Sequence, residues 1–406
     1  MKTIFLGYEV SSQLVAASCP ATESAEGALD CVANGAAAVI LKTVSGYSQN
    51  RQAGYDMNDT RNNMPAIESK ETPGERRCFI NSRGFWARSS FRREIMPVNK
   101  GTELVREVKA AARVPVIASV AECGLDTESW LQDCNEVEIA GASAIQLDLF
   151  YMENLLALDG FAVQFISLLK EIICHCHVPV MPKLNISLPA EYAVYLFREA
   201  GVRYVSLLDS LRSPAPLRFD KKGIPYRDQA MLGPGLSVFG GFMFPLTRFY
   251  ADTLRRTGFE VCAGGGIQTA ADILDLLLLG AGTVQIASEV LLHGYRRFGE
   301  LDGELNEILA KIGIEDAASL REMGKNISRP ADPLYAGIGG INSMRKNPWR
   351  LCHDPQKCSR CGACTGQSFC RRVRRIGNTL SAEGCEGCEF CVSLCPGGAL
   401  GVVTSG

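Results

Sequence analysis

The sequence lacks a surplus of either charge: 42 lysines and arginines stand against 44 aspartates and glutamates, a formal net charge of −2 over 406 residues. That balance gives no sign of nucleic-acid or membrane-surface binding, so a charged partner must be met by a local patch. No apolar run approaches the ~20 residues needed to cross a bilayer. The start, Met1 to Val10, lacks the charged-then-apolar order of a secretory leader. The expectation is a soluble cytoplasmic protein. Its 17 cysteines are unevenly placed, eight over the first 350 residues and nine between Cys352 and Cys395. In a reducing compartment that density argues for metal ligation rather than a disulfide framework.

What is present is a repeated short apolar run that delivers a polar or glycine residue at its C-terminal end. The runs are Leu14 to Ser18, Val39 to Lys42, Pro115 to Ser119, Ile145 to Asp148, Pro179 to Lys183, Val205 to Asp209, Glu260 to Gly264 and Thr283 to Ala287. Helical patterns separate most of them, so each reads as a buried parallel strand followed by a crossover helix. Eight such units predict an α/β fold, a (β/α)8 TIM barrel with its chemistry where the strands end. Helices are expected over Thr22–Gly35, Thr102–Ala112, Thr127–Ala140, Phe161–Cys174, Pro189–Ala200, Pro245–Thr257, Thr269–Leu279 and Glu289–Phe298.

Two stretches interrupt the alternation. Val44 to Lys100 has no clear periodicity, and its Arg76–Arg93 portion holds six arginines and no acid. It reads either as a solvated face or as a lid presenting arginines to an anion. Arg212 to Phe244, rich in proline and glycine, is long enough to cover the barrel mouth. From Glu300 to Glu322 a polar helical stretch leads away from the barrel. The expected domains are a barrel over 1–300, a helical linker over 301–350 and a cysteine-rich domain over 351–406.

In that last domain, Cys358-x2-Cys361-x2-Cys364 precedes Cys370, and Cys385-x2-Cys388-x2-Cys391-x3-Cys395-Pro396 follows. Three cysteines spaced by two residues let one loop wrap three corners of a cubane, and a remote fourth completes it. Paired zinc sites use two-and-two spacing instead. Two 4Fe-4S clusters in a ferredoxin-like domain are therefore expected. By the crossover rule of two-cluster ferredoxins, Cys358, Cys361, Cys364 and Cys395 would hold one, and Cys385, Cys388, Cys391 and Cys370 the other. The first run departs from the usual pattern, with five residues before Cys370 and no proline after it.

Clusters carry single electrons, so the barrel must hold the redox centre that meets an organic substrate. Gly264-Gly265-Gly266 ends the seventh run, and Ala287-Ser288 leads into the next helix. Glycines let backbone N–H groups approach a phosphate after strands seven and eight of a barrel. With a cluster domain attached, FMN is the natural occupant, since it converts hydride chemistry into single-electron steps.

The motifs Leu14-Val-Ala-Ala-Ser18, Ala38-Val-Ile-Leu-Lys-Thr43, Pro115-Val-Ile-Ala-Ser119, Pro182-Lys183-Leu184, Gly264-Gly-Gly-Ile267 and Leu278-Leu-Gly-Ala-Gly-Thr-Val-Gln285 run in order across the chain. In them the sequence resembles the dihydroorotate dehydrogenase superfamily. Within it, the resemblance is to the iron–sulfur subunits of bacterial NAD-dependent dihydropyrimidine dehydrogenases, which join an FMN barrel to a two-cluster domain. The resemblance implies that Ala17, Ser18, Lys42 and Lys183 meet the flavin ring and that Gly265, Gly266, Ala287 and Ser288 meet its phosphate. Thr43, Ser119, Ser210, Gly240 and Gly241 would complete the cofactor shell. A lysine at the pyrimidine edge of the ring would stabilise the reduced, anionic flavin.

The departures from the family pattern bear on the substrate. Members carry an Asn-x-Ser-Cys-Pro type segment after strand four, with asparagine holding substrate and cysteine exchanging its proton. Here the chain reads Asp148-Leu-Phe-Tyr151-Met152, and a second substrate asparagine aligns with Asp209. An ionised aspartate only accepts hydrogen bonds, which suits N–H-rich or cationic ligands. Alternatively, one of two close carboxylates stays protonated. Tyr151 stands in the cysteine's place and is the candidate proton donor, beside Asp148 and Asp209; the competing reading is a core aromatic. Glu122 and Cys123 are other possible acids, with a solvated loop as the plainer reading. His175, Cys176 and His177 look like metal ligands but fall on the N-terminal side of strand five, so a structural role is expected. Arg371 to Arg375 either docks an acidic redox partner or is a solvated basic loop.

The resemblance implies an oxidoreductase exchanging hydride between flavin N5 and a C=C or CH–CH bond of a small substrate. Its redox partner would be a ferredoxin or an NAD(P)H-oxidising flavoprotein subunit, and a homo-oligomer is expected. Two rivals stand beside this: a true dihydropyrimidine dehydrogenase with an atypical acid, and a non-catalytic electron-transfer subunit.

Overall fold

The computed structural model describes residues 1–46, 96–122, 124–149, 155–208, 210–213, 217–219, 221–227, 236–327, 349–367, 372–385 and 387–404. Arg76–Arg93, Cys123, Tyr151, Asp209, Cys370 and Arg371 lie outside the described residues. The chain divides into two units, Met1–Arg329 and Pro330–Gly406.

In the first unit, eight parallel strands close on themselves. They are β3 (Leu14–Ala16), β4 (Ala38–Ile40), β7 (Val116–Val120), β8 (Ala144–Asp148), β9 (Val180–Lys183), β10 (Tyr204–Ser206), β15 (Glu260–Gly264) and β16 (Thr283–Ile286). Each pairs with its neighbour in parallel, and β16 with β3 and β4 with β7 complete the ring. The eight expected runs are these eight strands, and the TIM barrel is the fold of this unit. Almost every strand residue is buried, because crossover helices cover the outside while side chains fill the inside.

The helices start and stop on local chemistry. Ser24 caps α1 (Ala25–Ala33) by accepting from Gly27 N at 3.1 Å, and Asp126 caps α3 (Thr127–Ile139) by accepting from Ser129 N at 3.0 Å. A reciprocal Thr269–Asp272 box opens α7 (Ala270–Leu278). Gly201, at φ 76°, ends α5 (Ala190–Ala200), where a side chain would strain the turn. Helices α2 (Val98–Ala111), α4 (Phe161–His175) and α6 (Phe244–Leu254) complete the crossovers.

The fold differs from the sequence reading in four places. A hairpin, β1 (Thr3–Phe5) with β2 (Tyr8–Val10), precedes the barrel. Its turn, Leu6-Gly7, has positive φ at both residues, a twist suited to two-residue hairpins. Leucine there is unfavourable, and its side chain is held in an apolar cluster with Phe5, Val10, Val15, Ile40, Ile117 and Met181. Secondly, Val44–Ser45 (β5) and Met96–Pro97 (β6) pair in parallel, so the ends of the aperiodic stretch meet. Thirdly, Leu211–Ser213 pairs with Leu236–Val238, and Leu217–Phe219 with Pro225–Arg227, all antiparallel, within what reads as loop.

The fourth difference concerns the helices after the barrel. The helix expected over Glu289–Phe298 is broken: α8 (Ser288–His293) stops at Gly294, φ 86°, and α9 (Arg297–Lys311) begins afresh. Rather than leading away, α9 packs on the barrel through Phe298, Leu301, Leu305 and Leu309, all buried. These positions recur every three or four residues, a helical stripe partly hidden by the charges between them. Helix α10 (Ala317–Ile327) adds the buried Leu320 to the same core.

The second unit has two antiparallel pairs, Trp349–His353 with Leu400–Thr404 and Val373–Ile376 with Thr379–Ala382. Its small core gathers Val373, Leu380 and Leu400 around Cys364 and Cys391. Among the described residues no helix is long and apolar enough to cross a membrane.

Candidate active site at the barrel mouth

The C-terminal ends of the strands carry a continuous chain of polar side chains. Gln285 Nε2 donates to Ser206 Oγ at 2.7 Å, and Ser206 Oγ donates to Gln146 Oε1 at 3.1 Å. Gln146 Nε2 then donates to Ser119 Oγ at 3.1 Å. Ser119 Oγ lies 3.0 Å from Thr43 Oγ1, which donates to Asp148 Oδ2 at 3.0 Å. Ser18 Oγ also meets Thr43 Oγ1, at 3.1 Å.

The direction of this chain follows from proton counting. Thr43 has one hydroxyl proton and gives it to Asp148, so it accepts from Ser119 and Ser18. Ser119 in turn spends its proton on Thr43 and accepts from Gln146. Every donor therefore points towards one terminus, the Asp148 carboxylate. Chains ordered this way polarise one another and strengthen an ionised acceptor at their end. All the members except Ser18 are buried.

The register adds charge. Asp148 pairs with Lys183 on the neighbouring strand, and Lys183 pairs with Ser206 on the next. Paired residues of parallel strands share a face, so Asp148 and Lys183 sit side by side, both 7% exposed. Cys19, just past β3, reports on both lysines. Burial pushes its thiol up, while Lys42 and Lys183 draw it back down, so both ammonium groups come near the end of the first barrel strand. Buried Cys262 is pushed up to about 12 and likewise feels Lys183.

The opposite side of the mouth is built from glycine. Gly265 and Gly266 have φ of 105° and 83°, and Gly240 has 104°. A Cβ on Gly266 would lie 2.4 Å from Phe244 N and 2.8 Å from Gly240 O, so the two glycine segments are pressed together. Thr247 Oγ1 pins them, 3.0 Å from Gly264 O and 2.8 Å from Gly265 O. Ala287 N-caps α8, whose Ser288 is followed by the buried Glu289, held by Arg297 Nε at 3.2 Å. Arg297 Nη2 also donates to Gln268 O at 2.9 Å, tying this wall to the end of the glycine turn.

Of the residues singled out from sequence, Ser18, Thr43, Ser119 and Asp148 are joined by direct hydrogen bonds. Lys183 is in register with Asp148. Ala17 N donates to Ile286 O at 3.1 Å and Lys42 N to Thr22 O at 3.0 Å, backbone bonds that fix the two strand ends. Gly240, Gly241, Gly265 and Gly266 form the glycine wall. Ser210 is half-buried beyond β10. Tyr151 and Asp209 lie outside the described residues. Sequence reasoning missed Gln146, Ser206 and Gln285. The signal was there: a glutamine two residues before Asp148 lies on the same face of its strand, and amides are rare inside an apolar barrel.

Glu122 departs from the solvated-loop reading. It is 4% exposed and meets Asp133 of α3, itself 3% exposed. Ser45 Oγ donates to Glu122 Oε1 at 3.2 Å, and Gly46 N to Asp133 Oδ2 at 2.6 Å. Burial first, then Asp133, pushes the Glu122 carboxyl up to about 8. Burial also raises Asp133. The pair shares a proton at neutral pH, because two buried carboxylates in contact cannot both ionise cheaply.

In the second unit, the cysteines of the first expected set lie within electrostatic reach of one another. Burial raises the Cys364 thiol first, and Cys395, Cys358 and Cys361 add to the rise. The Cys358 thiol is drawn down to about 7, foremost by His353, then by the Arg360 N–H and the Arg375 guanidinium. His353 Nδ1 accepts from Leu380 N at 3.2 Å, which puts the ring proton on Nε2. Ala399 N donates to Cys395 Sγ at 3.2 Å. Among the described residues no three cysteine, histidine or acidic side chains stand at metal-holding distance.

No protein-family model matches the chain. It is 24% identical over 264 residues to the NAD-dependent dihydropyrimidine dehydrogenase subunit PreA of Escherichia coli, covering 61% of this chain and 60% of that one. An Aeropyrum pernix protein assigned as dihydroorotate dehydrogenase A (fumarate) is 25% identical over 200 residues, 48% of this chain and 62% of that one. The catalytic subunit of dihydroorotate dehydrogenase B (NAD(+)) of Thermoplasma acidophilum is 21% identical over 316 residues, 76% of this chain and 93% of that one. The chain thus spans about 60% of the length of the first two of these relatives. Dihydroorotate dehydrogenases and the PreA subunit are thus distant homologues of the chain.

Proposed function

We propose that the chain is an FMN-dependent oxidoreductase acting on a C=C or CH–CH bond of a small substrate, with electrons relayed by two 4Fe-4S clusters. The observation that carries this is the hydrogen-bond chain that crosses the barrel mouth and ends on Asp148, with Lys183 in register beside it and a glycine wall opposite. A planar, anionic, phosphate-bearing ring system suits such a mouth: hydroxyl and ammonium groups on one side, close-packed backbone on the other.

The residues present fit FMN. Ser18, Thr43, Ser119, Lys42 and Lys183 would hold the ring, and Gly240, Gly241, Gly265, Gly266, Ala287 and Ser288 the phosphate. Bound there, FMN would supply hydride exchange at its N5 atom. Lys183 holds positive charge at the closed end of the mouth. Asp148, fed by five donors in series and unable to donate, offers its carboxylate to N–H groups of the substrate. The carboxylate itself favours a substrate that turns an N–H or cationic group towards Asp148. Tyr151 is the proposed proton donor and Asp209 a second substrate acceptor. The domain over 351–406 would hold the clusters, with Cys358, Cys361, Cys364 and Cys395 on one and Cys385, Cys388, Cys391 and Cys370 on the other. His353, beside Cys358, draws its thiol down towards the thiolate form that an iron ligand needs. A ferredoxin or an NAD(P)H-oxidising flavoprotein subunit would be the partner.

Anaerobic purification and analysis of released flavin, iron and acid-labile sulfide test the cofactor reading. FMN with iron and sulfide is expected; colourless, zinc-loaded protein would overturn it. Turnover of reduced dye with uracil, thymine or orotate tests the substrate. Uracil or thymine turnover would restore the plain dihydropyrimidine dehydrogenase, whereas flavin reoxidation only by other N–H-bearing enones, or flavin reduction only by their dihydro forms, supports the Asp148 argument.

A further inference from the structure

Away from the barrel mouth, on the side where the strands begin, two thiols meet. Cys134 lies on the inner face of α3 and is 1% exposed. Cys176 caps the C-terminus of α4, half-buried against the same core. The two thiols are neighbours, near enough for each to shift the other. The pair is held from outside: Glu138, one turn beyond Cys134 on α3, receives His177 N at 3.0 Å and His177 Nδ1 at 3.1 Å. Glu138 therefore fixes the residue after Cys176, and with it the position of Cys176 over Cys134. A groove of about 700 Å³ opens beside the pair, lined by Leu131, Asn135, Glu138, Glu171, His175 and Cys176.

Burial pushes Cys31 up to about 12 and Cys262 to about 12, which leaves them as inert thiols. Cys176 is the opposite case: it lines the groove, while Cys134 lies behind it, 1% exposed. One sulfur is the nucleophile, it faces a groove, and the second sulfur waits behind it as the resolving thiol.

We infer that Cys134 and Cys176 form a dithiol site that reacts with low-molecular-weight disulfides and closes to an intramolecular disulfide, tying α3 to the turn between α4 and β9. The Cys176 thiolate attacks one sulfur of the small disulfide; the S–S bond breaks and a thiolate departs, leaving a mixed disulfide. Cys134 gives its proton to that departing thiolate and attacks the Cys176 sulfur, expelling the second thiol. The protein loses two electrons, and the small disulfide gains them as two thiols. The site stands whatever the barrel mouth binds.

The test uses the full-length protein, kept anaerobic, treated with oxidised glutathione, blocked with N-ethylmaleimide and mapped as peptides. The expected result is loss of both free thiols and a peptide pair joined through Cys134 and Cys176, short of the two thiol hydrogens. In Cys134→Ala the glutathione stays on Cys176; in Cys176→Ser, Cys134 remains an unmodified thiol. Stable glutathione on Cys176 in the unchanged protein would overturn the inference. So would modification of the exposed Cys174 with Cys134 and Cys176 both left free.

Discussion

At the scale of single residues, Thr43 and Glu122 decide most. Thr43 touches Ser18, Ser119 and Asp148 together, and a change to valine keeps its shape while removing the oxygen. Asp148 then loses a buried donor and Ser119 its acceptor, at about 1–3 kcal/mol for the group left unsatisfied. Thr43→Val is expected to lower the urea midpoint of the barrel and to weaken FMN retention; an unchanged midpoint would mean that water replaces the hydroxyl. Glu122 tests the shared proton. Its folded carboxyl titrates near 8 against 4.5 ordinarily, so between those values the folded state holds a proton that the unfolded chain has released. Stability is therefore greatest below pH 4.5 as far as this group is concerned, and declines as the pH rises towards 8. Glu122→Gln should flatten the melting temperature across that window. A slope equal to that of the unchanged protein would remove the carboxyl from the pair.

Among the elements, the glycine wall and α9 make opposite demands on sequence reading. Gly266→Ala forces a Cβ to within 2.4 Å of Phe244 N at a φ of 83°, so the turn between β15 and α7 must open. Loss of bound FMN is expected, with the barrel still folded by circular dichroism; full FMN content would place the phosphate elsewhere. Phe298→Ala removes a fully buried ring from α9 and should cost about 3–5 kcal/mol, as core truncations of aromatics do. A negligible loss would return α9 to the status of a detached linker. The eight strands were legible because parallel strands buried on both faces must be mostly apolar, and the runs from Leu14–Ala16 to Thr283–Ile286 are. The polar ends were legible too, since Thr43, Ser119, Asp148 and Lys183 interrupt such runs. Two-residue pairings such as Val44–Ser45 with Met96–Pro97 leave no period to read. Leu6-Gly7 was hidden because leucine is not a residue that a hairpin turn recruits. Gln285 and Ser206 passed unnoticed because their roles depend on strands far apart in sequence, joined only when the barrel closes. The burial of Glu122 depends likewise on Asp133 and Ser45, which no local pattern links to it.

For the whole molecule, the question is how the cysteine runs of the second unit share their ligands. The crossover rule pairs Cys395 with the first run, and Cys395, Cys358 and Cys361 all lie within electrostatic reach of Cys364. Metal sites of this kind draw their ligands together on loading. If one cluster spans both runs, Cys358→Ser and Cys395→Ser remove the same object although they lie in different motifs. Each single variant should then lose about half of the iron and acid-labile sulfide, on the basis of two equal clusters. The double variant Cys358→Ser/Cys395→Ser should lose no more than either alone, because effects on one shared unit do not add. Cys385→Ser combined with Cys395→Ser should instead strip nearly all the iron. FMN content should stay constant throughout, since the flavin's proposed ligands all belong to the barrel. Near-complete loss of iron in the Cys358/Cys395 double variant would mean that each run holds its own cluster and that the crossover is absent.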